Sequence, residues 1–325
     1  MKALCIDAPN TIALRDVAEP PLNREAGECR VAVRVAGICR TDLELARGYM
    51  NFTGIPGHEF VGTVREGPEH LIGRRVVGEI NAACGNCRQC QLGMGRHCAH
   101  RTVLGIYKRP GAFAESLALP APNLIAVPDS VSDEEAVFTE PLAAALEIFE
   151  QVHVPPGSRM LVIGDGKLGL LVAQVCAHFG ARVTLHGRHE KKLALARRWT
   201  VDAVSAEPRG DAERYPFVAE CTGTPAALAV ALDWTAPRGT LILKSTYAVV
   251  ESPAMDWTRV VVDEISIVGS RCGQFAPALR LLAQHKIDVR SLIDHRLPLS
   301  DAPDAFARAA SKGTLKVLLQ VATSF

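Results

Sequence analysis

Short β-branched runs broken by Gly and Pro fill roughly the first 130 residues, as in Arg30–Val35, Gly62–Arg65 and Arg75–Gly78. That texture predicts strands of an all-β, barrel-like domain. From about Asp133 the pattern changes to Ala/Leu-rich segments of helical period alternating with strand-like runs, starting with a helix over Glu134–Val152. Strands are expected at Arg159–Ile163, Arg182–Leu185, Phe217–Glu220, Gly239–Leu243 and Ile265–Gly269. Helices at Leu168–Phe179, Glu190–Arg198, Pro225–Thr235 and Pro277–Gln284 lie between or after them. Strand-helix alternation of this length predicts a parallel, doubly wound sheet, so the fold class is α/β. A helix over Asp301–Ala309 and a strand-like Thr314–Val321 close the chain.

One strand-to-helix junction carries chemistry. Leu161-Val-Ile-Gly164-Asp165-Gly166-Lys167-Leu168-Gly169 is a G-x-G-x-x-G that leaves a strand and opens an amphipathic helix. Gly164 permits the tight turn, Gly166 lets backbone approach a pyrophosphate, and Gly169 permits close helix packing. The N–H groups at Lys167 and Leu168 and the positive end of the helix dipole suit that anion. At the end of the next strand the chain reads Leu185-His186-Gly187-Arg188. Gly187 removes the carboxylate that would repel a 2′-phosphate and Arg188 offers that phosphate a fork, so NADP is favoured; a solvated basic loop, or Glu190 bending back to serve an NAD ribose, is the alternative. Cys221 and Thr222, in Glu220-Cys-Thr-Gly223, and Arg271, in Gly269-Ser-Arg-Cys-Gly273, end later strands and are expected along the same cofactor-binding edge.

Composition narrows the class. At 325 residues the chain is long enough for two domains, at ~100–200 residues each. Hydrophobic residues are 48% and charged residues 22%, and 36 Lys+Arg nearly balance 35 Asp+Glu, which argues against disorder and against a nucleic-acid-coating surface. The start, MKALCIDAPN, has no apolar signal core, and no apolar stretch reaches the ~20 residues of a membrane span. A soluble, cytoplasmic protein with neither membrane nor nucleic-acid partners is expected.

Cysteines point to metal. Cys84, Cys87, Cys90 and Cys98 are spaced C-x2-C-x2-C-x7-C on a Gly-rich segment, a pattern for one tetrahedral zinc ion. Four protein ligands leave no open position, so this ion is expected to be structural, and free thiols imply a reducing compartment. Three further segments each hold one metal-capable side chain among Gly or Pro. Cys39, His58 and Glu140 would supply a thiolate, an imidazole and a carboxylate, leaving zinc an open fourth position. Cys5, Cys29 and Cys176 read as core residues and Cys272 as a bystander.

The motifs G-I-C-x-T-D at Gly37–Asp42, G-H-E-x-x-G-x-V at Gly57–Val64, the cysteine lobe, E-P-L-A at Glu140–Ala143 and G-x-G-x-x-G occur in that order. The order resembles zinc-containing medium-chain alcohol dehydrogenases nearly end to end, in particular the polyol, sugar and threonine dehydrogenase branch. The resemblance implies a GroES-like catalytic barrel from residues 1–133 and 286–325, carrying the structural-zinc lobe 84–98. Residues 134–285 would form a Rossmann nucleotide-binding domain. It implies Cys39 and His58 as zinc ligands, with Glu140 as third ligand or a water-mediated neighbour that moves. Glu59 and Asp42 would orient ligands and balance charge, Thr41 would carry the substrate proton, and Arg40 would face the cofactor pyrophosphate. The histidine that completes the proton relay in many relatives falls near Glu44 here. Two zinc ions per chain, NADP, a small alcohol or carbonyl substrate and a homodimer or tetramer follow from the same likeness. The expected activity is zinc-dependent hydride transfer between a polyol, sugar or simple alcohol, or its carbonyl product, and NADP(H). A zinc-independent quinone or carbonyl reductase and a non-catalytic NADP-binding protein are the rival readings.

Overall fold

A computed structural model of the chain describes residues 1–205, 214–246 and 255–321. It divides into two compact units, Met1–Glu140 with Phe275–Phe325, and Pro141–Gln274.

The first unit is built on a seven-stranded sheet. The long strand Glu28–Gly37 is its centre, pairing antiparallel with Glu59–Glu66, Ser116–Pro120 and Lys316–Gln320. Its buried positions alternate from Cys29 to Val35, the period that turns one face to the core. Register matters for function, because Gly37 lies opposite Glu59 on one side and Leu318 on the other. Lys316, two residues before Leu318, also approaches this point, its Cδ lying 3.4 Å from where a Cβ of residue 37 would stand. A Cβ there would come within 2.7 Å of Glu59 Oε2 and of Val137, so only glycine fits. The C-terminal strand Lys316–Gln320 pairs in parallel with Ile293–Pro298, which completes the sheet from the far end of the chain. A small three-stranded sheet, Asn81–Ala82, Thr102–Leu104 and Lys108–Arg109, flanks the cysteine segment.

The helix expected over Glu134–Val152 is two helices, Asp133–Ala136 and Thr139–Gln151. Pro141 lacks an N–H and its ring collides with the carbonyl four residues back, so it fits a first turn and not a helix interior. The chain accordingly restarts at Thr139, whose hydroxyl donates to Ala136 O at 2.7 Å. The first helix carries a reciprocal cap between Ser132 and Glu135.

Among the described residues the second unit holds six strands, all parallel. Counted in chain order they lie 3-2-1-4-5-6, the doubly wound arrangement. The third, Asp202–Val204, is absent from the sequence pattern because three residues are too few to show a period. The first, Arg159–Ile163, leads into the helix Lys167–His178, whose residues Gly169–Cys176 are all buried. Leu161, Ile163, Val218, Leu228, Leu232 and Leu241 pack one core cluster of this unit. Ile163 is in register with His186 and Glu220, and Glu220 with Leu243. The turns after these strands therefore emerge at one edge, the carboxyl edge where open parallel sheets bind ligands.

Candidate metal centre

In the first unit Cys39, His58 and Glu59 each bring a ligand atom to within 4.8 Å of the others. Local structure explains the convergence. Cys39 is the N-cap of the helix Arg40–Ala46, which begins as the central strand ends at Gly37. His58 and Glu59 stand at the entry to the neighbouring strand. Asp42, fully buried, ties the two segments together: its carboxylate accepts from Cys39 N at 2.8 Å and from Gly57 N at 3.1 Å. It also lies 3.2 Å from His58 Nδ1.

The arrangement suits a cation. His58 is buried, and Nδ1 has no partner in hydrogen-bonding geometry. Burial opposes its protonation, but Asp42 and Cys39 outweigh it and hold the imidazole well above its ordinary pKa. Glu140 has a half-buried side chain with no hydrogen bond or ion pair among the described residues, and burial pushes its pKa up to about 7. The His58 imidazole and the Glu140 carboxyl both favour their protonated forms, and a divalent ion that displaces those protons would satisfy the same donors.

Glu59, and not Glu140, makes the third corner of the cluster. Glu140 stays close enough to feel His58, Glu59 and Lys316. The difference is one of anchorage: Glu59 is 1% exposed and ion-paired to Lys316, which is equally buried. Lys316 Nζ also stands 5.2 Å from the centre of the Phe138 ring, a cation–π contact. Lys316 was not among the expected site residues. Its only trace in the chain is a cation opening the apolar run Lys-Val-Leu-Leu.

Thr41 Oγ1 lies 4.0 Å from Cys39 Sγ, beside the cluster. Arg40 is largely exposed and pairs with Glu44 at 2.7 Å, and Glu44 also receives Arg47 at 2.8 Å. The position where a relay histidine would fall is therefore a carboxylate held by two guanidinium groups.

The cysteine quartet also assembles. Sγ separations are 3.5 Å for Cys84–Cys98 and Cys87–Cys90, 3.7 Å for Cys87–Cys98 and 4.0 Å for Cys84–Cys90. Four sulfurs at ~2.3 Å from one tetrahedral zinc would stand ~3.8 Å apart. Backbone N–H groups of Cys84 and His100 point at Cys98 Sγ, at 3.4 and 3.3 Å, and together with neighbouring thiols hold it below the ordinary thiol pKa. Cys90→Ser is expected to remove one zinc per chain and open segment 84–98 to proteolysis, with Cys39, His58 and Glu59 still metal-loaded. Metal analysis with limited proteolysis reads both effects.

In the second unit the glycine loop divides its roles. Gly164 has φ of 115°. A Cβ on Gly169 would meet Gly164 O at 1.8 Å, whereas one on Gly166 would meet nothing within 4 Å. The first and third glycines are thus fixed by the protein itself, and the second opens on free space at the helix N-terminus, with Lys167 and Leu168 as the first helical residues. Glu220, fully buried, accepts from Thr222 N and Oγ1 at 2.6 and 2.5 Å and so shapes the Cys221–Thr222 turn, in which Cys221 is buried. Arg271 is exposed beyond the last strand, and its carbonyl lies 3.4 Å from the buried Lys244 Nζ. A Cβ on Gly187 would lie 2.5 Å from Asp165 Cβ, so a carboxylate is present at this strand end after all, delivered by the glycine loop.

Two family models match the chain: the alcohol dehydrogenase GroES-like domain over residues 25–129 and the zinc-binding dehydrogenase domain over 168–284. L-threonine 3-dehydrogenase of Escherichia fergusonii is 30% identical over 345 aligned residues, covering 98% of this chain and 99% of the relative. A zinc-binding dehydrogenase of Sinorhizobium meliloti, solved bound to NADP, superposes with a TM-score of 0.90 at 27% identity, covering 98% of this chain and 99% of that one. A short chain alcohol dehydrogenase of Escherichia coli, solved with NADH, gives 0.89 at 27% identity with 99% of both chains covered.

Proposed function

Because this chain belongs to the zinc-containing medium-chain alcohol dehydrogenase family, combining a GroES-like with a Rossmann-type domain, we propose that it moves hydride between an alcohol, of polyol, sugar or simple type, and NADP. The observation that carries this reading is the convergence of Cys39, His58 and Glu59 on one buried point beside the Thr41 hydroxyl. Zinc bound there would supply Lewis acidity to the alcohol oxygen, and the nicotinamide would accept the hydride.

The remaining work falls to side chains. Cys39, His58 and Glu59 hold the ion, with Asp42 fixing the first two in orientation. Lys316 offsets the charge of Glu59, so the donor set is not excessively anionic. Glu140, which keeps solvent contact and has no clamp, is the donor able to approach or withdraw as substrate enters. Thr41 accepts the alcohol proton, and with Glu44 committed to Arg40 and Arg47 the proton passes from Thr41 to water. Gly166, Lys167 and Leu168 receive the pyrophosphate at the helix N-terminus, and Arg188 receives the ribose 2′-phosphate. No helix among the described residues is long and apolar enough to cross a membrane.

Metal analysis followed by a turnover screen tests the proposal. Two zinc ions per chain and NADP-dependent oxidation of at least one polyol, sugar or simple alcohol are the expected results. One zinc with undiminished carbonyl reduction would make the chain a zinc-independent reductase. No turnover with either cofactor would leave a binding protein.

A further inference from the structure

The turn that follows the second strand of the nucleotide unit is held by a carboxylate from another loop. Asp165, the residue between the first two glycines of Gly164-Asp-Gly166, is 7% exposed. Its Oδ2 accepts from Arg188 N at 2.8 Å and from His189 N at 2.7 Å, and His189 Nδ1 lies 3.0 Å from both carboxylate oxygens. Two backbone N–H groups and a ring nitrogen therefore converge on one carboxylate, and charge-assisted bonds of this kind are the strong class. Burial pushes Asp165 towards neutrality, but the His189 ring and the two backbone N–H groups outweigh it and keep the carboxyl below its ordinary pKa.

The close approach has a sequence consequence. Residue 187 is glycine because a side chain would collide with Asp165, at 2.5 Å from its Cβ and 2.7 Å from Oδ2. Glycine loop and turn are thus fitted to one another. Gly164 N donating to His186 O at 2.8 Å and Gly187 N to Val204 O at 3.1 Å fix the same backbone from its other sides.

What the turn presents outward follows by subtraction. Asp165 is turned inward onto the Arg188 and His189 nitrogens, and the exposed Glu190 pairs with Arg197 through one carboxylate oxygen. Arg188 is exposed, and its guanidinium has no protein partner among the described residues. With Nδ1 committed to Asp165, His189 keeps Nε2 as the ring nitrogen not bound to the carboxylate. The turn shows a cation and an imidazole to solvent while its own anion faces inward.

From this geometry we infer that Asp165 is a positioning residue for NADP selectivity: it clamps the Gly187–His189 turn so that Arg188 and His189 form a preorganised seat for the 2′-phosphate. Asp165 does not touch the phosphate. It removes the freedom the turn would otherwise lose on binding, and it withdraws the carboxylate that would repel the ligand. The inference rests on the NADP reading above, and the two are separable by experiment.

The test uses full-length, zinc-loaded protein and two cofactor fragments, 2′,5′-ADP and 5′-AMP, with affinities measured by titration calorimetry. The wild type is expected to bind 2′,5′-ADP more tightly. Equal affinities would overturn the NADP reading and the inference with it. Given that preference, Asp165→Ala and the isosteric Asp165→Asn are each expected to weaken 2′,5′-ADP about tenfold and 5′-AMP by less than about threefold. Equal weakening of both fragments would reduce Asp165 to a general support of the loop. An unchanged ratio, or tighter 2′,5′-ADP with weaker 5′-AMP, would also overturn the inference, the latter by making Asp165 the ribose ligand. Should Asp165→Ala fail to fold, Asp165→Asn alone gives the same comparison.

Discussion

Cys39→Ser and His58→Ala are each expected to abolish turnover, by ~1000-fold or more, with the fold intact and the cysteine quartet still loaded. Lewis acidity stabilises developing charge by several kcal/mol, and each ~1.4 kcal/mol is a factor of ten in rate. Cys39→Ser changes one atom on a half-buried N-cap residue and leaves the Asp42 bond to its backbone N–H available, so little packing is lost. His58→Ala removes a buried ring, yet Asp42 retains two backbone donors, from Cys39 and Gly57. The measurement pairs nicotinamide absorbance with metal content: turnover disappears and one of two zinc ions is lost. Wild-type activity in either variant would refute the site.

The second large effect concerns stability. Lys316 and Glu59 are each 1% exposed, and they face one another across the central strand at a position only glycine can occupy. Lys316→Met keeps most of the volume but leaves the Glu59 carboxylate buried without its counter-charge. Breaking a buried pair from one side typically costs about 3–5 kcal/mol, because the abandoned ion has lost water as well as its partner. Zinc held partly by Glu59 would replace that counter-charge. The metal-free variant should therefore melt well below metal-free wild type, and added zinc should recover more stability in the variant than in wild type. Thermal melts of both proteins with and without metal provide the check. An equal zinc effect in both would separate Glu59 from the ion.

Much of the fold and part of the centre were legible in the chain. The glycine loop was readable because its three glycines serve three local needs within a few residues: a left-handed turn at Gly164, open approach at Gly166 and helix packing at Gly169. The cysteine quartet was readable for the same reason, since all its ligands lie within one short lobe. Residues that act through neighbours distant in sequence were misread or missed. Gly187 reads as a missing carboxylate, whereas Asp165 presses against it from another loop. Glu140 reads as a third ligand or a neighbour that moves, and the structure adds Glu59, paired with Lys316, to the cluster of Cys39 and His58.

That division has a physical basis. Donor types, glycine placements and the change from β-branched runs to strand-helix alternation are properties of neighbouring residues, and propensity and spacing express them directly. Which charges meet is not local: Lys316 reaches Glu59 because two strands from opposite ends of the chain flank Glu28–Gly37 in a set register. A one-residue slip of either strand would turn its side chain to the other face. The chemistry was therefore written in the motifs, while the partners that neutralise, clamp and orient it were chosen by sheet register and by the close approach of loops at glycine.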